Sequence, residues 1–147
     1  MPAVTRRTLL EALSSVPLLS AALLAASQRA DPKQASTTVY ELRVYHAAPG
    51  KLGELLTRFS EHTARLFEKH GIKNIAYWTP VDEPERGNML IYILQHPSRE
   101  AAAANWKSFQ DDPEWKRVKE ESEANGKLTE KIDSTFLALT DFSPQLR

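Results

Sequence analysis

Glu41, Arg43 and Tyr45 are the residues of this chain whose types and spacing point most directly to chemistry. They alternate with apolar residues in the segment 39–45, and a period of two is typical of a β-strand with two unlike faces. A carboxylate, a guanidinium and a phenol on one face could serve a polar pocket as base or acceptor, anion clamp and donor. The opposite face consists of Tyr40, Leu42 and Val44. We expect this apolar face to pack on helices.

The same charged pair has a structural interpretation. Buried charges are usually paired, so Glu41 and Arg43 could neutralise each other in the core of a dimer without touching a ligand.

Trp78 and Tyr92 complete the candidate cavity wall, because an aromatic side chain on a strand can stack against a planar ligand. The alternative for both residues is a role as core or interface anchors. Trp106 and Trp115 each have an apolar partner three residues further on, at Phe109 and Val118. This helical spacing favours a packing role for these two tryptophans.

Other chemistries have no recognisable pattern in the sequence. The four histidines form neither a His-x-His nor a His-Glu-x-x-His motif, so no metal site is predicted. No serine lies in a nucleophile elbow, and the five glycines form no phosphate-binding loop, so we expect no cofactor. The absence of cysteine excludes disulfides and thiolate chemistry. A formal net charge of zero argues against a broad nucleic-acid surface.

The N-terminal segment has the features of an export signal. Arg6 and Arg7 precede an Ala/Leu/Ser-rich run, which predicts a twin-arginine-type signal peptide over residues 1–27. A membrane-anchoring helix is the alternative, but Pro17 argues against it. Residues 28–37 are polar and are predicted to be a flexible lead-in. We therefore expect a periplasmic or secreted protein with no membrane span after cleavage.

The remaining residues, 38–147, are predicted to form one domain. The predicted strands are residues 39–45, 72–79, 89–95 and 131–140, and the predicted helices are residues 51–70, 99–109 and 112–124. Ser98 and Asp112 are expected to cap helix N-termini, and Gly71 is expected to follow a helix C-terminus. The order β-α-β-β-α-β predicts an α+β, ferredoxin-like fold.

The third and fourth strands predict a partner for the sheet. Residues 89–94 and 136–139 are apolar on both faces, as in strands that are covered on both sides. Two helices can cover only one face of a four-stranded sheet. The simplest cover for the other face is a second copy of the sheet, so we expect a homodimer through the sheet face.

Several motifs, in order, resemble those of NIPSNAP domains. They are Tyr40-Glu41-Leu42-Arg43-Val44-Tyr45 with Pro49-Gly50, then Gly71 and Tyr77-Trp78, then Leu90-Ile91-Tyr92, and then Ser98-Arg99-Glu100-Ala101 and Asp112-Pro113-Glu114-Trp115. The similarity covers residues 38–142. It implies a dimeric α/β-barrel, in which two ferredoxin-like sheets close around an interior cavity in each subunit. The activity of the family is poorly defined.

These observations lead to one main hypothesis and two alternatives. The main hypothesis is an exported, homodimeric protein that binds a small aromatic or anionic molecule in its cavity. The candidate cavity wall consists of Glu41, Arg43, Tyr45, Trp78 and Tyr92. The first alternative is a cofactor-independent monooxygenase, and the second is an interaction module whose barrel is filled by its own side chains. Whether the protein is an enzyme stays open.

Overall fold

Four antiparallel strands form one sheet in the order β2-β3-β1-β4. The computed structural model describes residues 38–144 and residue 146, so the predicted signal peptide and lead-in lie outside the described residues. The strands are β1 (Val39–Ala47), β2 (Lys73–Trp78), β3 (Met89–His96) and β4 (Thr129–Leu137). The helices are α1 (Leu52–Arg58), a π-helical turn (Phe59–Thr63), α2 (Ala64–Lys69), α3 (Arg99–Asp111) and α4 (Pro113–Ser122). The predicted α+β, ferredoxin-like order is confirmed. In the described part of the chain, no helix has the length and apolar character needed to cross a bilayer.

The predicted helix boundaries depend on local contacts that the structure contains. The Ser98 side chain accepts a hydrogen bond from the Ala101 amide, and Asp112 accepts one from the Glu114 amide. Gly71 follows α2 with a φ of +74°, in the left-handed region that favours glycine. A Cβ at this position would also lie 3.0 Å from Asn105 Nδ2, so Gly71 permits close approach of α3.

The single helix that was predicted over residues 51–70 is divided into α1 and α2 by the π-helical turn. The Ala64 amide bonds to the Phe59 carbonyl, five residues back, and Thr63 Oγ1 donates to the Arg58 carbonyl at 3.2 Å. Phe59 and Thr63, at the two ends of this turn, are both buried, and Phe59 belongs to the core.

The helices cover the face of the sheet that carries Glu41, Arg43 and Tyr45. The core side chains from the sheet are Tyr45, Ala47, Leu90, Tyr92 and Leu94, and those from the helices are Leu55, Phe59, Leu66, Phe67 and Phe109. The prediction that Leu42 and Val44 would pack on the helices is therefore wrong. Glu41 faces the helices, where Trp106 of α3 donates a hydrogen bond to its carboxylate.

The opposite face of the sheet, here called the outer face, is largely apolar at its centre. It consists of Leu42, Val44, Ala76, Trp78, Ile91 and Ile93. These residues are half-buried, except Trp78, which is 48% exposed. The apolar residues of β3 thus lie on both faces, as predicted.

Strand β4 differs from its prediction in its bounds and in the polarity of its faces. It begins two residues earlier and ends at Leu137, so Ala138 and Leu139 lie beyond the sheet. Its outer-face positions include Asp133 and Thr135, and most of its side chains are exposed. The prediction that this strand is apolar on both faces is wrong, because β4 is an edge strand.

Asp112 connects the end of α2 to the junction between α3 and α4. Its Oδ2 atom accepts hydrogen bonds from Lys69 Nζ at 2.7 Å and from His70 Nε2 at 2.6 Å. His70 Nδ1 lies 2.7 Å from Ser108 Oγ. Serine, histidine and aspartate are the residue types of a nucleophilic triad, but here Asp112 also caps α4. The cluster therefore fastens helix ends, and its hydrogen bonds from Lys69 and His70 hold the pKa of Asp112 well below its usual range.

Replacing Asp112 with alanine is expected to lower the melting temperature by roughly 5–10 °C, since a helix cap and two further contacts disappear together. Circular dichroism melts would measure the change. Asp111→Ala is the matched control, because the neighbouring Asp111 is exposed and pairs only with Lys107 among the described residues. Equal melting temperatures for the two variants would contradict a fastening role for Asp112.

Candidate functional site

One buried carboxylate, that of Glu41, connects three strands and a helix. Its Oε1 atom accepts hydrogen bonds from Arg43 Nη1 at 2.6 Å and Ser134 Oγ at 2.7 Å. Its Oε2 atom accepts from Trp106 Nε1 at 2.7 Å and His96 Nε2 at 3.1 Å. These donors belong to β1, β4, α3 and β3, and Glu41 is only 2% exposed. The carboxylate therefore fixes the position of α3 over the sheet.

The four donors determine the charge state of Glu41. Burial alone would raise the pKa of this carboxyl, but the hydrogen bonds from His96, Ser134, Trp106 and Arg43 outweigh it and lower the pKa to about 2. Because an ionised carboxylate can only accept, His96 carries its proton on Nε2. A carboxylate with this pKa is a poor proton acceptor at neutral pH, which disfavours the general-base role considered for Glu41.

The geometry of Glu41 and Arg43 agrees better with a mutually neutralising ion pair than with a role of Glu41 as a general base. The two side chains form an ion pair at 2.6 Å, in which Glu41 is buried and Arg43 is half-buried. This pair lies between the sheet and the helices of one chain, not on the outer face where a dimer core was expected.

Arg43 extends from Glu41 toward an open cavity. Its guanidinium lies 4.5 Å from the centre of the Trp106 ring, and Nη2 is 3.5 Å from the Tyr45 hydroxyl. Its Nε atom is buried and has no hydrogen-bond partner among the described residues. Burial disfavours the charge of Arg43, but nearby Tyr45, Tyr92 and Glu41 more than offset this and raise its pKa. Arg43 is therefore a permanent cation beside the cavity.

The cavity, here called the inner cleft, has a volume of about 560 Å³ and lies between the sheet and helices α3 and α4. Its walls include Arg43, Tyr45, Trp106, Phe109, Trp115 and Ile132. The rings of Phe109 and Trp115 are 4.5 Å apart, and Trp106 lies 5.7 Å from Phe109. Four aromatic rings and two arginines, the half-buried Arg43 and the buried Arg58, thus surround a space of ligand size.

The structure brings together four of the five predicted wall residues. Arg43 and Tyr45 line the inner cleft, and Glu41 supports Arg43 from behind. Tyr92 is fully buried and stacks on Tyr77 at 5.2 Å, so it belongs to the core. Burial raises the pKa of Tyr92 well above its ordinary value. Trp78 lies apart from the others, on the outer face.

Sequence reasoning missed several residues of this site, among them Trp106, Trp115 and Ser134. Trp106 and Trp115 were assigned to packing alone, although both line the inner cleft. Ser134 was not considered. A usable signal for Ser134 was its position opposite Arg43, which follows once β1 and β4 are paired in register.

Two other cavities lie on either side of the π-helical turn. One, of about 620 Å³, lies between α1 and α4 and is lined mainly by exposed polar residues, including Glu54, Glu61 and Glu121. The other, of about 400 Å³, is largely apolar and lies beside Phe59 and Tyr77. Neither combines a buried cation with several aromatic rings, so the inner cleft is the candidate site.

Comparisons with solved structures support the fold assignment. An uncharacterised NIPSNAP-like domain protein from Burkholderia xenovorans is 19% identical, with a TM-score of 0.65 over 76% of this chain and 93% of that chain. A NIPSNAP family protein from Agrobacterium tumefaciens is 22% identical, with a TM-score of 0.63 over 73% of this chain and 97% of that chain. A monooxygenase from Streptomyces coelicolor, solved with the ligand nanaomycin D, is 14% identical, with a TM-score of 0.51 over 73% of this chain and 92% of that chain. At these identities the likeness concerns the fold alone.

A search of curated proteins found no significant match. The sequence model of the NIPSNAP family, in contrast, matches residues 40–144, which include all four strands except the first residue of β1. This match spans the inner cleft and the whole Glu41 network. The chain therefore belongs to the NIPSNAP family.

Proposed function

We propose that this domain binds a small molecule in the inner cleft. The observation that carries the proposal is the combination of a space of about 560 Å³ with aromatic walls and the half-buried Arg43 guanidinium. Ligand sites are concave, mostly apolar and of roughly 300–1,000 Å³, with a few fixed polar groups. Arg43 is such a group, because Glu41 holds one side of it and the cleft borders the other.

Native mass spectrometry of the protein purified from its own cells tests the proposal. We expect a retained small molecule that is lost in Ile132→Trp, since this exposed residue lines the inner cleft and the larger ring would fill it. Ser60→Trp is the matched control, because Ser60 lines the apolar cavity beside Phe59. Retention by Ile132→Trp together with loss in Ser60→Trp would assign the ligand to the other cavity. Incubating the released compound with the protein and dioxygen tests the monooxygenase alternative.

The outer face supports a second part of the proposal, a homodimer. Leu42, Val44, Ile91 and Ile93 form an apolar centre, and the helices of the chain pack on the other side of the sheet. Apolar sheet faces are stable when another layer covers them. A second copy related by a two-fold axis would present the same apolar centre to the first.

Ile93→Arg is expected to convert the dimer to a monomer, with a dimer dissociation constant at least about a hundredfold higher, because a charge would be buried at the centre of the interface. Analytical ultracentrifugation over a concentration series would measure it. Val81→Arg makes the same chemical change at an exposed position in the loop between β2 and β3, and should leave the dimer intact. A monomeric wild type would contradict the proposal directly.

We also propose that the segment 1–27 directs export by the twin-arginine route, on the evidence of Arg6 and Arg7 and the run that follows them. The mass of the protein recovered from the periplasm should lack about 27 N-terminal residues. Replacement of both arginines by lysine should retain the uncleaved chain in the cytoplasm. Normal export of that variant would contradict the proposal.

A further inference from the structure

Three lysines surround the inner cleft without a carboxylate partner. Lys116 and Lys119 belong to α4, and Lys127 lies just before β4. All three are exposed, and in the described part of the chain none has a carboxylate oxygen within 4 Å of its amine. The arginines deeper in the cleft, Arg43 and Arg58, differ from these lysines because each has an acidic partner.

The acidic residue of the cleft wall, Glu123, and the carboxylate behind it, Glu41, each pair with an arginine. Glu123 pairs with Arg58 at 3.0 Å, and Glu41 pairs with Arg43 at 2.6 Å. Asp111 acts electrostatically on Lys116 but is bound by Lys107. The ion pairs inside the cleft are thus nearly neutral, and the positive charge of its rim is not compensated.

This positive rim is a local property of the cleft. The chain has 19 basic and 19 acidic residues, so no general excess of positive charge accounts for it. Charges of one sign around a cleft with low-dielectric walls concentrate the electrostatic field and attract ligands of opposite charge.

The aromatic walls of the cleft present flat surfaces. The Arg43 guanidinium stacks over Trp106 at 4.5 Å, and the Arg58 guanidinium lies over Trp115 at 5.3 Å. Phe109 joins the two tryptophans, with ring-centre distances of 5.7 Å and 4.5 Å. Planar rings pack well against such surfaces, since offset and edge contacts between rings are favourable.

We infer that the ligand of the inner cleft is a planar aromatic anion, with its ring against Trp106, Phe109 and Trp115 and its negative group toward Lys116, Lys119 and Lys127. The inference rests on the proposed binding function of the cleft. It adds the chemical class of the ligand and the residues that select it.

Three probes of similar size test separately whether the ligand must be aromatic and whether it must be an anion. They are 2-naphthoate, its neutral analogue 2-naphthamide, and the non-aromatic anion decahydronaphthalene-2-carboxylate. Isothermal titration calorimetry at low salt should show naphthoate binding about tenfold more tightly than either other probe. The variant K116Q/K119Q/K127Q should lose most of the preference for naphthoate over naphthamide.

The control variant K51Q/K73Q/K131Q removes the same charge from positions outside the cleft, and should keep the full preference. An equal loss in both variants would overturn the assignment to the rim lysines, because it would reflect net charge alone. Equal affinities for naphthoate and naphthamide, with both lost in Ile132→Trp, would overturn the inference and leave the proposed binding function intact. If neither naphthalene probe binds the wild-type protein, the binding function proposed for the cleft fails, and the inference fails with it.

Discussion

Replacing Glu41 with glutamine is expected to lower the free energy of unfolding by about 3–5 kcal/mol. The change removes the charge that pairs with Arg43 and puts an amide NH₂ group among donors. The amide nitrogen would replace one of the two oxygens, so either Arg43 at Oε1 or Trp106 at Oε2, which can only donate, would face another donor. Urea unfolding followed by tryptophan fluorescence would measure the loss.

Glu54→Gln is the matched control for this prediction. Glu54 also pairs with a cation, Lys51, at 2.8 Å, but its side chain is 50% exposed. Exposed pairs contribute about 0–1 kcal/mol, so this variant should stay close to the wild type. If Glu41→Gln were no more destabilised than Glu54→Gln, the network would not be holding α3 on the sheet.

Acidification is expected to lower the free energy of unfolding by about 3 kcal/mol through protonation of Glu41. The pKa of Glu41 is about 2 in the folded state, below the ordinary value of 4.5. A lowered folded-state pKa means that the stabilisation is complete above pH 4.5 and is lost as the pH falls toward 2. The gap between the two pKa values corresponds to about 3 kcal/mol. Urea unfolding at intervals between pH 6 and pH 2 would show it.

The comparison with Glu41→Gln isolates this contribution. Other carboxyls with lowered pKa values, among them Asp112 and Asp133, also weaken the wild type in acid. The variant keeps those groups, so its unfolding free energy should fall less steeply below pH 4.5 than that of the wild type. Parallel pH profiles for the two proteins would contradict the assignment to Glu41.

The sequence was sufficient to predict the features that depend on neighbouring residues. Ser98 and Asp112 cap their helices as expected, because a cap needs only an oxygen and an amide two or three residues apart. The position of Gly71 after α2 is local in the same sense. The order of the strands and helices follows from these boundaries and from apolar periodicity.

The orientation of β1 could not be derived in this way. Alternation shows that Glu41 and Leu42 lie on opposite faces, but it does not show which face the helices cover. That choice depends on Trp106 and Ser134, which are 65 and 93 residues away along the chain and bring hydrogen-bond donors to Glu41. An apolar sheet face packs on helices only when no buried polar network takes that position. Here the Glu41 network lies between the sheet and the helices, so the apolar face is on the other side.

The two edges of the sheet limit its pairing with strands of other chains. On β2, the register shifts between Asn74 and Ala76, and this irregularity interrupts the row of free backbone groups. On β4, Glu130 and Lys131 are exposed charged side chains near the start of the strand. Bulges and charges at edges oppose strand-by-strand growth, which would otherwise lead to fibres. The features of both edges therefore oppose open-ended polymerisation along the hydrogen-bonding direction of the sheet.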